Sequence, residues 1–257
     1  MKKLCLLFIG FVAFASVAFA LPTNITKAPA GTVYNNPTGY VPQLNAPAEV
    51  LITHSVDQTI ASSNSVACRY GSGYHTDNSY FRVFDLQDNF SINKDFNVTH
   101  LEIGIELADA ASGFQPVTVR LHTLNGVMAN ANLSLLYSET FSVPDQTLSI
   151  YDFEFATPVL VPFGEVLVVE VFTPDGSSAG NDFFIGSNTT ATTSPSYLAA
   201  ASCGITEPTN IASIGFPQMN IVMNVYGVNA VVPVPYGYIA GAFLLIAVAF
   251  VVRRRLL

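Results

Sequence analysis

Between Val98 and Leu107 the apolar residues fall on every second position: Leu101, Ile103, Ile105 and Leu107 alternate with His100, Glu102, Gly104 and Glu106. Successive side chains of a strand point to opposite sides, so this period of two predicts a strand with one buried and one solvated face. Val117–Thr123 repeats the pattern, with Val117, Val119 and Leu121 opposed to Thr118, Arg120 and His122. Val166–Phe172 is apolar on both faces except at Glu170, which suits a central strand. Further strand-like runs are Val50–Val56, Ser79–Leu86, Ser134–Tyr137, Leu148–Phe155, Asp182–Ile185 and Asn220–Val228. Turn formers separate them, among them Asp88-Asn89, Ser112-Gly113, Asn125-Gly126, Pro144-Asp145, Pro162-Phe163-Gly164 and Pro174-Asp175-Gly176. No stretch before Val231 carries a helical repeat longer than two turns. The predicted fold is all-β, an antiparallel β-sandwich of jelly-roll type. Tryptophan is absent, so Tyr80, Phe81, Phe84, Phe153, Phe155, Phe172, Phe183 and Phe184 are expected to supply the bulk of the core.

The two ends read differently. Met1–Ala20 has the layout of a cleaved signal peptide: Lys2 and Lys3, an apolar run over Leu4–Val17, and the small-x-small site Ala18-Phe19-Ala20. Residues 21–48 carry five prolines with no regular period and read as an extended lead-in. Residues 49–230 form the predicted β-sandwich ectodomain. Residues 231–257 make a tail: Pro233 and Pro235, an uncharged apolar run over 236–252, then Arg253, Arg254 and Arg255. At 1.5 Å per residue that run spans roughly 26 Å as a helix, enough for a thin bilayer core. The arginines hold the C-terminus in the cytoplasm and leave the preceding domain outside.

The tail resembles the PEP-CTERM type of bacterial sorting signal, a short proline motif followed by one hydrophobic helix and a terminal basic cluster. Val232-Pro233-Val234-Pro235 stands where that family has Val-Pro-Glu-Pro. The resemblance implies export machinery and an exosortase-like sorting enzyme as partners, with retention as a membrane anchor the alternative. The body resembles a β-sandwich module of secreted bacterial proteins. The residues that carry this likeness are Thr76–Phe84, Gln115–Val119, Val168–Val171 and Pro195-Ser196-Tyr197 running into Cys203-Gly204. That second resemblance spans Cys68 to Val228 and implies no catalytic residues.

Without its two ends the chain keeps five cations, Lys27, Arg69, Arg82, Lys94 and Arg120, against all eighteen acids, a net charge of −13. Such a surface repels nucleic acid and anionic membranes. Cys68 and Cys203 are the cysteines left after signal removal, and outside a cell such a pair is expected to form a disulfide. A reactive thiol at Cys68 with His75 as its base is the rival.

The four histidines, His54, His75, His100 and His122, lack the spacing of a zinc site. His100 and His122 are expected to be neighbours on the polar faces of adjacent strands. Arg69 and Arg82 are expected to pair with Asp77 and Asp85. Asp152 with Glu154, and Glu102 with Glu106, are carboxylate pairs on single strand faces and read as solvated. The turn Thr173–Asn181, followed by Asp182, offers Asp175 and Asp182 in a glycine-rich setting that suits Ca²⁺. The same residues also make an ordinary hairpin turn. No nucleophile elbow, His-Glu-x-x-His or phosphate loop occurs. The expected function is a non-catalytic binding or structural module at the cell surface, directed at a glycan, matrix polymer or protein. A secreted hydrolase with an unrecognised carboxylate site is the alternative.

Overall fold

The computed structural model describes residues 23–30, 49–71 and 73–230. The signal segment, most of the proline-rich stretch, and the tail with Pro233, Pro235 and Arg253–Arg255 lie outside the described residues. Fifteen strands follow in chain order: β1 (Thr23–Lys27), β2 (Val50–Thr53), β3 (Val66–Tyr70), β4 (Asn78–Asp85), β5 (Phe96–Ala110), β6 (Phe114–Leu124), β7 (Leu133–Pro144), β8 (Gln146–Val161), β9 (Val166–Thr173), β10 (Asn181–Ile185), β11 (Ser187–Asn188), β12 (Ser196–Ala200), β13 (Ile205–Asn210), β14 (Asn220–Ile221) and β15 (Met223–Asn229). Among the described residues the only helical segments are three short 3₁₀ turns, and no helix is long and apolar enough to cross a membrane.

Two antiparallel sheets carry the fold. The larger has the strand order β13-β12-β4-β9-β6-β7. The other is built on β5, which pairs with β8 along one edge and with β15 and then β10 along the other, β2 closing beyond β15. From β5 onward the chain passes repeatedly between the sheets: β5 lies in one, β6 and β7 in the other, β8 in the first, β9 in the second and β10 in the first again. The alternation seen in the sequence explains the packing. Leu101, Ile103 and Ile105 of β5 and Phe153 of β8 share one core with Val117, Val119 and Leu121 of β6 and Leu167, Val169 and Val171 of β9, all fully buried. Each such side chain contributes about 1.5–3 kcal/mol of burial energy. Cys68 of β3 is disulfide-bonded to Cys203, with Cα atoms 5.9 Å apart. The bridge excludes a free thiol at Cys68.

Four sequence expectations are corrected. The polar face of β5 is not solvated, since His100, Glu102 and Glu106 are all buried. The segment between β2 and β3 folds over it: the backbone N–H groups of Asn64 and Ser65 donate to Glu106, and Gln58 exchanges hydrogen bonds with Asn224 beside Glu102. His100 and His122 are not neighbours, because β5 and β6 belong to opposite sheets. Arg69 pairs with Asp182 rather than Asp77. Arg82 pairs with no acid among the described residues and instead donates to Ser196 and Thr192. Apart from these, Thr23–Lys27, within the stretch read as an extended lead-in, is a strand paired antiparallel with β3.

Candidate functional site

On the outer face of the six-stranded sheet, β9 places Glu170 in cross-strand register with Phe81 of β4 on one side and Arg120 of β6 on the other. Directly opposed residues lie within about 5.5 Å, and residues two positions along are within reach on the diagonal. Ser79 and His122 occupy those diagonals. Three donors therefore converge on one carboxylate: Ser79 Oγ donates to Glu170 Oε1 at 2.7 Å, Arg120 Nη1 to Oε1 at 2.7 Å, and His122 Nε2 to Oε2 at 2.9 Å. The His122 bond assigns the proton to Nε2, since a carboxylate can only accept. Burial alone would raise the Glu170 carboxyl. The hydrogen bonds from His122 and Ser79 and the charge of Arg120 outweigh it and hold the group below its ordinary value.

These residues line a cleft of about 370 Å³. The β6–β7 connection, which joins two neighbouring strands, bounds it by reaching across to β13. Asn130, on that connection, receives its hold at the far edge, where its backbone N–H donates to Glu207 and its side chain to the Thr206 carbonyl. Phe81, Leu133, Leu135 and Ile205 give the cleft apolar walls, while Asp77, Ser79, Arg120 and Thr206 give it polar ones. The Arg120 side chain stays 29% exposed while Glu170 is 7% exposed, so the cation is the reachable member of the pair. Its guanidinium also lies over the Phe172 ring, 4.4 Å from the centroid, which fixes its plane.

The other expected site residues fall elsewhere. Asp175 is taken up locally, accepting from Tyr70 Oη at 2.8 Å and from the Ser177 backbone at 2.8 Å. Asp182 receives two hydrogen bonds from Arg69, that from Nε at 3.1 Å. Burial pushes Asp182 up to about 6, the nearby Arg69 charge opposing the rise. The Thr173–Asn181 turn closes on itself through Asn181 N–H and Ala179 N–H, both donating to the Gly176 carbonyl. Among the described residues no group of three or more His, Cys, Asp and Glu has the geometry to hold a metal ion. Glu102 sits in register with Asp152 across β5 and β8, not with Glu106 as a solvated pair. Burial raises both carboxyls, and Glu102 accepts from Tyr226 Oη at 2.5 Å and Asn224 Nδ2 at 3.2 Å, a satisfied polar network.

Sequence reasoning singled out Glu170 as the lone acid of an apolar strand but assigned it no partners. Its partners come from β4 and β6, and only the sheet order reveals them. Ser79, Asn130 and Thr206 carried no signal of their own.

No protein family matches the chain. No curated protein matches it either. Among solved structures, the clostridial cysteine protease Cwp84 after propeptide cleavage is similar over 73% of this chain and 42% of that chain, with 13% sequence identity and a TM-score of 0.47. The present chain thus spans less than half of that protein.

Proposed function

We propose that this chain is an exported bacterial envelope protein whose jelly-roll-type sandwich is a non-catalytic binding module, and that the Glu170 cleft takes a hydroxyl-rich polymer such as a glycan. One observation carries the reading: a cleft on a sheet face in which Glu170, Ser79, Arg120 and His122 are locked together beside the apolar Phe81. Its volume, about 370 Å³, is within the range of small-ligand sites. Ring faces of a sugar suit apolar walls, and its hydroxyls suit a preset array of donors and acceptors. The Cys68–Cys203 bridge fits an oxidising compartment outside the cytoplasm. Cleavage of Met1–Ala20, and anchoring or exosortase-like sorting through residues 231–257, complete the proposal.

The arrangement argues against hydrolysis. Ser79 and His122 both bond to Glu170 and not to each other, so the hydroxyl lacks the histidine base of a nucleophilic triad. Glu170, held ionised, has no proton to give as a general acid. The test is retention of the full chain in detergent micelles on immobilised neutral and acidic polysaccharides, beside a hydrolase substrate panel. Arg120→Ala, which removes the reachable cation, is expected to weaken retention about ten-fold or more. Turnover of any panel substrate by the parent, lost in Glu170→Gln, sinks the non-catalytic reading. Equal retention by parent and Arg120→Ala removes the cleft as its site.

A further inference from the structure

Arg82 is the largest fully buried side chain of the described residues. It projects from β4 between Tyr80 and Phe84, toward the interior between the sheets, because those three alternate residues share the inward face. A charge taken out of water is costly unless an opposite charge comes close. Arg82 has no carboxylate partner among the described residues, and its Nε has no hydrogen-bond partner at all. Burial lowers it to about 10, which leaves it cationic at neutral pH. What it does have is two hydroxyls: Nη1 donates to Ser196 Oγ at 2.8 Å and Nη2 to Thr192 Oγ1 at 2.9 Å.

Thr192 and Ser196 both line a pocket of about 320 Å³ that has no charged residue in its lining and shares no lining residue with the Glu170 cleft. Counting protons shows what Ser196 has left. Its oxygen accepts from Arg82 and from the Ile221 backbone N–H at 3.0 Å, and its own O–H meets no acceptor among the described residues. Thr192 by contrast spends its proton on the His54 or Ser194 carbonyl. Thr193 spends its proton on His54: with Nε2 donating to the Val83 carbonyl, Nδ1 can only accept. One O–H, polarised by the cation bonded to its oxygen, is therefore left uncommitted on a residue that lines an uncharged pocket.

We propose that this pocket binds an oxyanion, the carboxylate or sulfate group of a ligand, which accepts the Ser196 proton and supplies the counter-charge that Arg82 lacks. Apolar Ile211, Phe216 and Met219 leave room for the body that carries the group. The site stands apart from the Glu170 cleft and survives if that cleft proves empty.

The test is calorimetric titration of the full chain with inorganic sulfate and, separately, glucuronate, at fixed ionic strength. Saturable binding of sulfate alone marks a free-oxyanion site, and binding of glucuronate marks a sugar-borne carboxylate; either supports the proposal. Arg82→Met removes a fully buried side chain and can unfold the domain, so Ser196→Ala decides. It is expected to weaken binding about ten-fold or more, the worth of a hydrogen bond to a charged group. Ser196→Thr, which keeps the hydroxyl, should retain binding. No saturable heat from either probe at tens of millimolar, or unchanged affinity in Ser196→Ala, overturns the proposal.

Discussion

Replacing Cys68 and Cys203 together by alanine removes a cross-link between residues 135 apart in sequence. On the chain-entropy account, closing a loop of that length lowers the entropy of the unfolded chain enough to stabilise the fold by about 5 kcal/mol at 25 °C. For a domain of this size each kcal/mol moves the melting temperature about 2–4 °C, so the double variant should melt roughly 10–20 °C below the parent. Cys68 is fully buried, and losing its sulfur adds a packing cost. Reduction separates the two effects, because it opens the loop and keeps both sulfurs. Thermal unfolding followed by circular dichroism, with and without reductant, should show the parent falling most of the way to the variant on reduction. The variant should not respond. The geometry supports this scale of effect: the bridge joins β3 to the turn between β12 and β13, and so ties the small β1–β3 sheet to the edge of the six-stranded one. A variant melting within about 2 °C of the parent would refute the reasoning, since the loop would then contribute under about 1 kcal/mol.

Glu170→Gln should cost about 1–3 kcal/mol, because a neutral amide cannot satisfy three donors. The sign with pH is fixed by the lowered carboxyl: its stabilising contribution is complete above the unfolded value of 4.5 and is lost as pH falls through the lower folded value. Chemical denaturation between pH 3 and 6 should therefore show a shallower acid loss in Glu170→Gln than in the parent, and parallel curves would contradict this. Gly186→Ala should destabilise by about 1–3 kcal/mol, because a methyl there would sit 2.5 Å from the Gly104 carbonyl carbon; an unchanged denaturation midpoint would show that β5 can yield. Calcium is tested at Asp175 and Asp182 by melting in millimolar calcium against equal magnesium. Arg69 already neutralises Asp182, so the two should act alike, and a calcium-specific rise abolished by Asp175→Asn would establish the cation site instead.

Strand existence was legible where apolar and polar residues alternate, as in β5 and β6, or where a long apolar run lies between turn formers, as in β9. It was not legible in β3, β12 and β13. Val66, Ala67 and Cys68 of β3 are buried on both faces, so no alternation appears, and β13 carries Pro208 in an edge strand, where the missing N–H costs no ladder bond. The reading of His100, Glu102 and Glu106 as solvated failed for a tertiary reason. A period of two says which residues share a face, and the segment that covers β5 is set by chain path rather than by β5 itself. The ion pairs failed alike. Arg69 and Asp182 are far apart in sequence, and only the packing of β3 beside the end of β10 brings them together. Glu170 was legible only as the one acid of VLVVEVF, and its partners depended on β4 and β6 flanking β9.

The four histidines report on four different parts of the molecule. His122 lines the Glu170 cleft, His54 stands behind Thr193, His75 packs against the Gly176 turn, and His100 stacks on Tyr226 over the five-stranded sheet. Imidazole resonances of isotopically labelled full chain, titrated with a soluble fragment of whichever polysaccharide retains it, therefore locate the ligand directly. The account predicts saturable shifts at His122, lost in Arg120→Ala, with His75 and His100 unmoved. Shifts at His75 or His100 with His122 unchanged would contradict it.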